Sequence, residues 1–126
     1  MKNLEKYTKI VDKLHKAGYD VIAIGTDIPT EEAIDRSKKR AAHTGRDVPV
    51  GIIRSSHGGF AMTFPKMMKI VDNYMLFDNS QPYGEPPTLI CSREDGIQNK
   101  ARWDEFVRKG NDWAKHKEEE HKEGGR

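Results

Sequence analysis

Tyr19-Asp20-Val21-Ile22-Ala23-Ile24-Gly25 is the stretch, at residues 19–25, that decides the fold class. Tyr19 to Ile24 form a short apolar run rich in β-branched residues, and Gly25 bounds it. Such a run reads as a buried strand of the kind seen in parallel sheets. Just upstream, Leu4, Tyr7, Ile10, Val11 and Leu14 recur at three- and four-residue spacing, which places them on one helical face. Gly18 follows the last of them and suits a C-terminal cap. Helix, glycine and buried strand make one crossover step of an α/β fold.

Downstream, Pro29-Thr30 opens a second helix. Thr30 can cap it, and Glu31 and Glu32 sit where the helix dipole favours negative charge. This helix should stop near Thr44-Gly45. Val48-Pro49 then starts a short helical piece carrying Ile52, Ile53 and Arg54, which Gly58-Gly59 should break. Phe60 to Val71 has helical spacing, and Pro65 either kinks that helix or sits in its first turn. Asn73 to Phe77 reads as a second buried strand ending in Asp78-Asn79-Ser80, and residues 81–87 as a Pro/Gly loop. Thr88 to Cys91 reads as a third strand at the sheet edge. Residues 98–117 form an amphipathic helix with Trp103, Phe106, Val107 and Trp113, and residues 118–126 a flexible charged tail. Three short parallel strands make a thin sheet with at least one open edge.

With 126 residues, the sequence predicts one domain or part of one, lying within residues 1–117. Its net charge of +2 is too small to imply nucleic-acid binding, and the basic helix lacks the interleaved aromatics that would bind a single strand. The single cysteine, Cys91, excludes an internal disulfide and reads as a buried structural thiol. No apolar run approaches the roughly 20 residues of a membrane span, and no signal-peptide pattern opens the chain, so it reads as cytoplasmic.

Charge is clustered. Between residues 36 and 54, RSKKRAAHTGRDVPVGIIR, the cations Arg36, Lys38, Lys39, Arg40, Arg46 and Arg54 are opposed only by Asp47. Arg36 and Arg40 are four apart, so they leave one helix face together. A one-sided arginine cluster after a strand suits gripping phosphate, although a solvated basic helix face has the same composition. His57, in SSHGGF, reads as a surface histidine or as one facing a substrate. His43 and His57 lack a cysteine or carboxylate to complete a metal site, so no metal is expected on the chain. Nor does the chain contain a G-x-x-x-x-G-K-[ST] loop to hold a phosphate from the other side.

In order and spacing, YDVIAIGTDIPTEEAIDRSKKR, TGRDVP and VDNYMLFDNS resemble the C-terminal part of zeta toxin-type P-loop kinases. The similarity spans residues 3–95. It implies an α/β fold of the P-loop NTPase-like three-layer type, present only in part, with a short, mostly parallel sheet flanked by helices. The lid would cover about residues 30–57. The family transfers phosphate from a nucleoside triphosphate to a small hydroxyl substrate, typically UDP-N-acetylglucosamine. By resemblance Arg36 and Arg46 are the catalytic lid arginines, Arg40, Arg54 and His57 lie toward the substrate, and Asn79 and Ser80 toward the nucleotide. Asp78-Asn79-Ser80 also reads simply as a strand-ending turn.

The resemblance implies ATP or GTP with Mg²⁺ as cofactors. The phosphate loop, the magnesium-binding hydroxyl and the catalytic aspartate of that family lie upstream of the matched region. The expected partner is therefore a second chain carrying the P-loop half, or another copy of this one, with a small phosphorylated ligand. The alternative is a non-enzymatic module that binds a nucleotide, a phosphosugar or a protein.

Overall fold

The computed structural model describes residues 4–46, 48–82 and 84–124, with the side chains of residues 120–124 left aside. Asp47, the one acid inside the basic stretch, and residues 125–126 of the expected tail lie outside the described residues. The elements run α1 (Leu4–Lys16), β1 (Ile22–Asp27), α2 (Thr30–Thr44), α3 (Val50–Met67), β2 (Asn73–Asp78), β3 (Thr88–Ser92), β4 (Gly96–Ile97) and α4 (Lys100–Gly124). The α/β class expected from sequence holds, with an open mixed sheet in the order β1-β2-β3-β4.

Helix α1 ends as its sequence predicts. Gly18 adopts φ +89, its N–H donates to the His15 carbonyl at 3.0 Å, and the Tyr19 N–H donates to Leu14 at 3.0 Å. This is a Schellman closure, which a glycine makes without Cβ strain. Strand β1 begins three residues later than the apolar run suggests, because Val21 is engaged elsewhere. Its N–H donates to the Asp72 carboxylate, and its carbonyl accepts from the Asp72 and Asn73 N–H groups. Gly25 lies inside the strand and not after it; a Cβ there would sit 2.6 Å from the Phe60 ring.

Helix α2 starts at Thr30, but no side chain caps it; Pro29 occupies the N-cap and Gly45 closes the other end at φ +73. Instead of two pieces broken at Gly58-Gly59, α3 is one helix running through both glycines, with Pro65 in its last turn. Burial explains the difference. A Cβ on Gly58 would stand 2.4 Å from Cγ of Trp113, and one on Gly110 would stand 2.5 Å from the Ala61 carbonyl. The glycines bring α3 and α4 into close contact, a benefit that outweighs their poor helix propensity. Pro65 lacks the N–H that would meet the Ala61 carbonyl, and Gly110 packs onto that same oxygen. Asn99 caps α4 by accepting the Arg102 N–H at 3.1 Å, and the helix extends beyond residue 117 to Gly124.

Strands β1 and β2 are parallel, in register from Ile22 opposite Asn73 to Asp27 opposite Asp78. Strand β3 returns antiparallel to β2, and β4 antiparallel to β3. The expectation of a mostly parallel sheet therefore fails beyond the first pair. Residues 79–87 are too few for a parallel crossover, which needs about a dozen or more. A register shift between Leu76 and Phe77 leaves Ile90 as the extra residue of a bulge, and both Ile90 and Cys91 turn inward.

Helices α1, α3 and α4 all cover one sheet face. Val11, Phe64, Met67 and Phe106 pack there against Ala23, Leu76 and Ile90, and Phe64, Leu76, Ile90 and Phe106 are fully buried. Each such side chain contributes about 1.5–3 kcal/mol relative to exposure. The opposite face has no helix among the described residues; Ile22 is 55% and Ile24 64% exposed. The described residues thus form two layers, not three.

Candidate functional site

The carboxyl ends of β1 and β2, where open α/β sheets place their ligands, carry a buried cluster of charged side chains. Asp27 and Asp78 end the two strands side by side, and both are buried. From α4, Arg102 donates from Nη2 to Asp27 Oδ2 at 3.0 Å, and Lys109 donates from Nζ to Asp27 Oδ1 at 2.6 Å and to the Ile28 carbonyl at 3.0 Å. Arg102 Nε lies 3.1 Å from Asp78 and Nη1 3.0 Å from Glu105. Those two contacts are at ion-pair distance but lack good hydrogen-bond direction, so they act mainly through Coulomb attraction. Burial works against the Arg102 charge, but Asp78, then Asp27 and Glu105, outweigh it and raise its pKa. Burial likewise opposes the Asp78 charge; the hydrogen bonding of Ser80 and the adjacent Arg102 guanidinium prevail and hold its carboxyl below the ordinary value.

Around this clasp the structure brings together some of the sequence-derived residues. Arg36, Ser37 and Arg40 of α2, His57 of α3, and Ile28 and Asn79 at the strand ends line one cleft of about 350 Å³. Arg36 is already occupied: it donates to Glu32 Oε1 at 2.8 Å, to the Asn79 carbonyl at 3.1 Å and to the Gln81 carbonyl at 3.4 Å. Arg40 makes no ion pair among the described residues and is exposed. Burial, then the charge of Lys109, lower the His57 pKa below 6.5, against opposing pulls from Asp27 and the Ile28 backbone. The imidazole is therefore neutral at pH 7, and its buried Nδ1 has no partner among the described residues.

A second cleft, of about 640 Å³, opens on the other side of Arg36 and is lined by Glu32, Asn79, Ser80, Gln81 and Glu85. Ser80 and Asn79 thus share a wall with the guanidinium. Arg54 stands apart, paired with Glu31 at 2.8 Å and facing a cleft with Lys109, Trp113 and His116. Arg46 is exposed in the link between α2 and α3 and lines none of these clefts.

Sequence reading missed Asp27, Asp78, Arg102 and Lys109. Signals were present: the two parallel strands each end in an aspartate, and Arg102 and Lys109 are seven apart, on one face of their helix. As to metal, the donors do not fit Mg²⁺. Both strand-end aspartates are neutralised by α4 cations, and among the described residues no group of three His, Cys, Asp or Glu side chains is arranged to hold an ion. For a phosphate the donors do fit, since Arg36 and Arg40 project from one helix face into one cleft. Among the described residues no helix is long and apolar enough to cross a membrane. Comparison with protein families, with curated proteins and with solved structures finds no match to this chain.

Proposed function

We propose that this chain supplies the arginine-bearing half of a phosphoryl-transfer site, of the kind found in zeta toxin-like P-loop kinases acting on a small hydroxyl substrate. One observation carries the reading: Arg36, Arg40, His57 and Asn79 converge on a single cleft at the carboxyl end of a parallel strand pair. Phosphoryl transfer needs positive charge on the phosphoryl oxygens as charge redistributes, and guanidinium groups supply it in a planar fork. Arg40 is available at once. Arg36 is a reserve cation that exchanges Glu32 for phosphate oxygens, an exchange made cheap by the partial exposure of that ion pair. His57, neutral, suits a hydroxyl better than a phosphate. A polypeptide carrying a phosphate loop would complete the site and bring the metal.

A second reading is a binding module without turnover. It is favoured by Asp27 and Asp78, both held by α4 cations and neither free to take a proton from a hydroxyl. Titration with ATP and with UDP-N-acetylglucosamine, each with and without Mg²⁺, tests both. Phosphate-ligand binding should weaken about tenfold in Arg36→Ala and in Arg40→Ala, corresponding to about 1.4 kcal/mol each. Arg46→Ala separates the family-derived role from the cleft, since Arg46 lies outside it. Binding indifferent to all three substitutions rules out a phosphate role for this face, and binding without Mg²⁺ or turnover in any complex selects the module.

A further inference from the structure

Two clefts meet at Arg36, and their charges are opposite. Among the described residues, the cleft of about 350 Å³ is lined by Arg36 and Arg40 and by no acid. The cleft of about 640 Å³ is lined by Glu32 and Glu85, with Arg36 as its one cation. Asn79 lines both as well, so the clefts are neighbours across one side chain. Such a pair is complementary to a dipolar ligand, with its anionic end on the arginines and its cationic end on the glutamates.

The acidic side is an acceptor cage with a cation already in it. Arg36 donates to Glu32 Oε1 at 2.8 Å, to the Asn79 carbonyl at 3.1 Å and to the Gln81 carbonyl at 3.4 Å. The Gln81 amide nitrogen donates to Thr88, and its buried Oε1 has no partner among the described residues. When the guanidinium turns to a phosphate, Glu32 and both carbonyls lose their donor together. The Glu32 side chain is only 32% exposed, so water restores part of its solvation and leaves the rest to a ligand. A plain phosphate ester brings nothing to that cage. A protonated amine brings three N–H donors and a positive charge. Neutral hydroxyls would supply donors alone, and two carboxylates in one cleft favour the charge.

We infer that the paired clefts select a small phosphate ester bearing a primary ammonium group, with Glu32 as the residue that reads the amine; this rests on the phosphate reading of Arg36 and Arg40 and names its ligand class. The phosphate is held by the two arginines. The ammonium occupies the place the Arg36 guanidinium leaves, against Glu32 and the Asn79 and Gln81 carbonyls, in the cleft that Glu85 also lines. Glu32 thereby acts in two ways. It holds Arg36 away from ligands that lack a cation, and it rewards those that carry one, so discrimination comes from both sides of the exchange.

Calorimetric titration of the full chain at pH 7 tests it, comparing ethyl and propyl phosphate with O-phosphoethanolamine and 3-aminopropyl phosphate. At one chain length or both, the amine should strengthen binding about tenfold, the worth of one charge-assisted hydrogen bond. Glu32→Gln should abolish that preference and at the same time tighten the plain esters, because Arg36 then has no carboxylate to leave. A merely structural role for Glu32 would weaken every ligand alike. Circular dichroism checks that the variant is folded, and the wild-type comparison needs no variant. Plain and amino esters bound equally at both lengths overturn the inference, as does an amine preference that survives Glu32→Gln. If those equally bound esters are weakened by Arg36→Ala and Arg40→Ala, the phosphate reading stands without the amine. Binding of no ester removes both.

Discussion

Asp27 and Arg102 lie 75 residues apart in sequence and meet at 3.0 Å, both largely withdrawn from water. The contact fastens the last helix to the first strand at the end of the sheet where the candidate clefts open. A buried ion pair contributes little net stability against a well-packed apolar pair, but breaking one side leaves an uncompensated charge.

Arg102→Ala removes the shared partner of Asp27, Asp78 and Glu105 at once. Asp27 keeps Lys109, whereas among the described residues Asp78 keeps only Ser80. The expected loss is at the low end of the range for broken buried pairs, about 3 kcal/mol. Urea unfolding of the wild type and variant measures it, and an unchanged midpoint would show that the clasp is ornamental.

These residues also show what the sequence conveyed. The capped α1, the parallel β1–β2 pair and the αL stop at Gly45 follow from local signals: spacing, apolar runs and glycines. The arginine face of α2 was legible for the same reason, since Arg36 and Arg40 are four apart on one helix. The clasp was not legible, because Asp27, Asp78 and Arg102 have meaning only once β1, β2 and α4 are brought together. Gly58 and Gly59 misled in the same way. Read locally a glycine pair ends a helix, but here a neighbouring tryptophan requires the missing side chain.

Acid should weaken the fold in two stages. His57 has its pKa lowered from 6.5, mainly by burial, so its neutral form stabilises the native state above that value. This contribution declines as pH falls from 6.5 toward the lower folded value, because the unfolded chain binds the proton first. Asp72 and Asp78 are lowered from 3.8. For Asp72 the Val21 N–H is the main cause and His15 the next; for Asp78 burial opposes, and Ser80 and Arg102 prevail. Their contributions are complete above 3.8 and fade below it. Thermal melts across pH should show both stages, with His57→Gln removing the upper one and Asp72→Asn reducing the lower.

Arg36 is expected to hold the loop after β2 as well as any ligand. Its guanidinium donates to the carbonyls of Asn79 and Gln81, and a typical hydrogen bond of this kind contributes about 1 kcal/mol. Arg36→Ala should therefore speed amide hydrogen exchange at residues 79–82, with the core strands unaffected. Faster exchange in α3 instead would mean that Arg36 supports the helix layer.

Cys91 should be inert in the native protein. Burial pushes its thiol up to about 11, and only the thiolate reacts at a useful rate. Iodoacetamide at pH 8 should label it only after denaturation, at a rate that tracks urea unfolding. Rapid labelling of folded protein would require an opening of the β3 region that the buried Ile90 and Cys91 do not suggest.

Two glycines of α3 should respond oppositely to the same substitution. Alanine gains about 1 kcal/mol of helix propensity over glycine, and Gly51 has nothing within 4 Å of an added Cβ, so Gly51→Ala should stabilise by up to about that amount. At Gly58 the added methyl meets Cγ and Cβ of Trp113 at 2.4 and 2.6 Å, near the root of the side chain, where rotation alone cannot clear it. Overpacking costs about 1–3 kcal/mol, which exceeds the propensity gain. Gly58→Ala should thus be destabilising in the wild-type background and neutral or better in a Trp113→Gly background, which removes both Cγ and Cβ. That coupling, read from the four unfolding midpoints of a double-mutant cycle, separates close helix contact from backbone preference as the reason for this glycine. Additive effects would return Gly58 to the role of a helix weak point that its sequence first suggests.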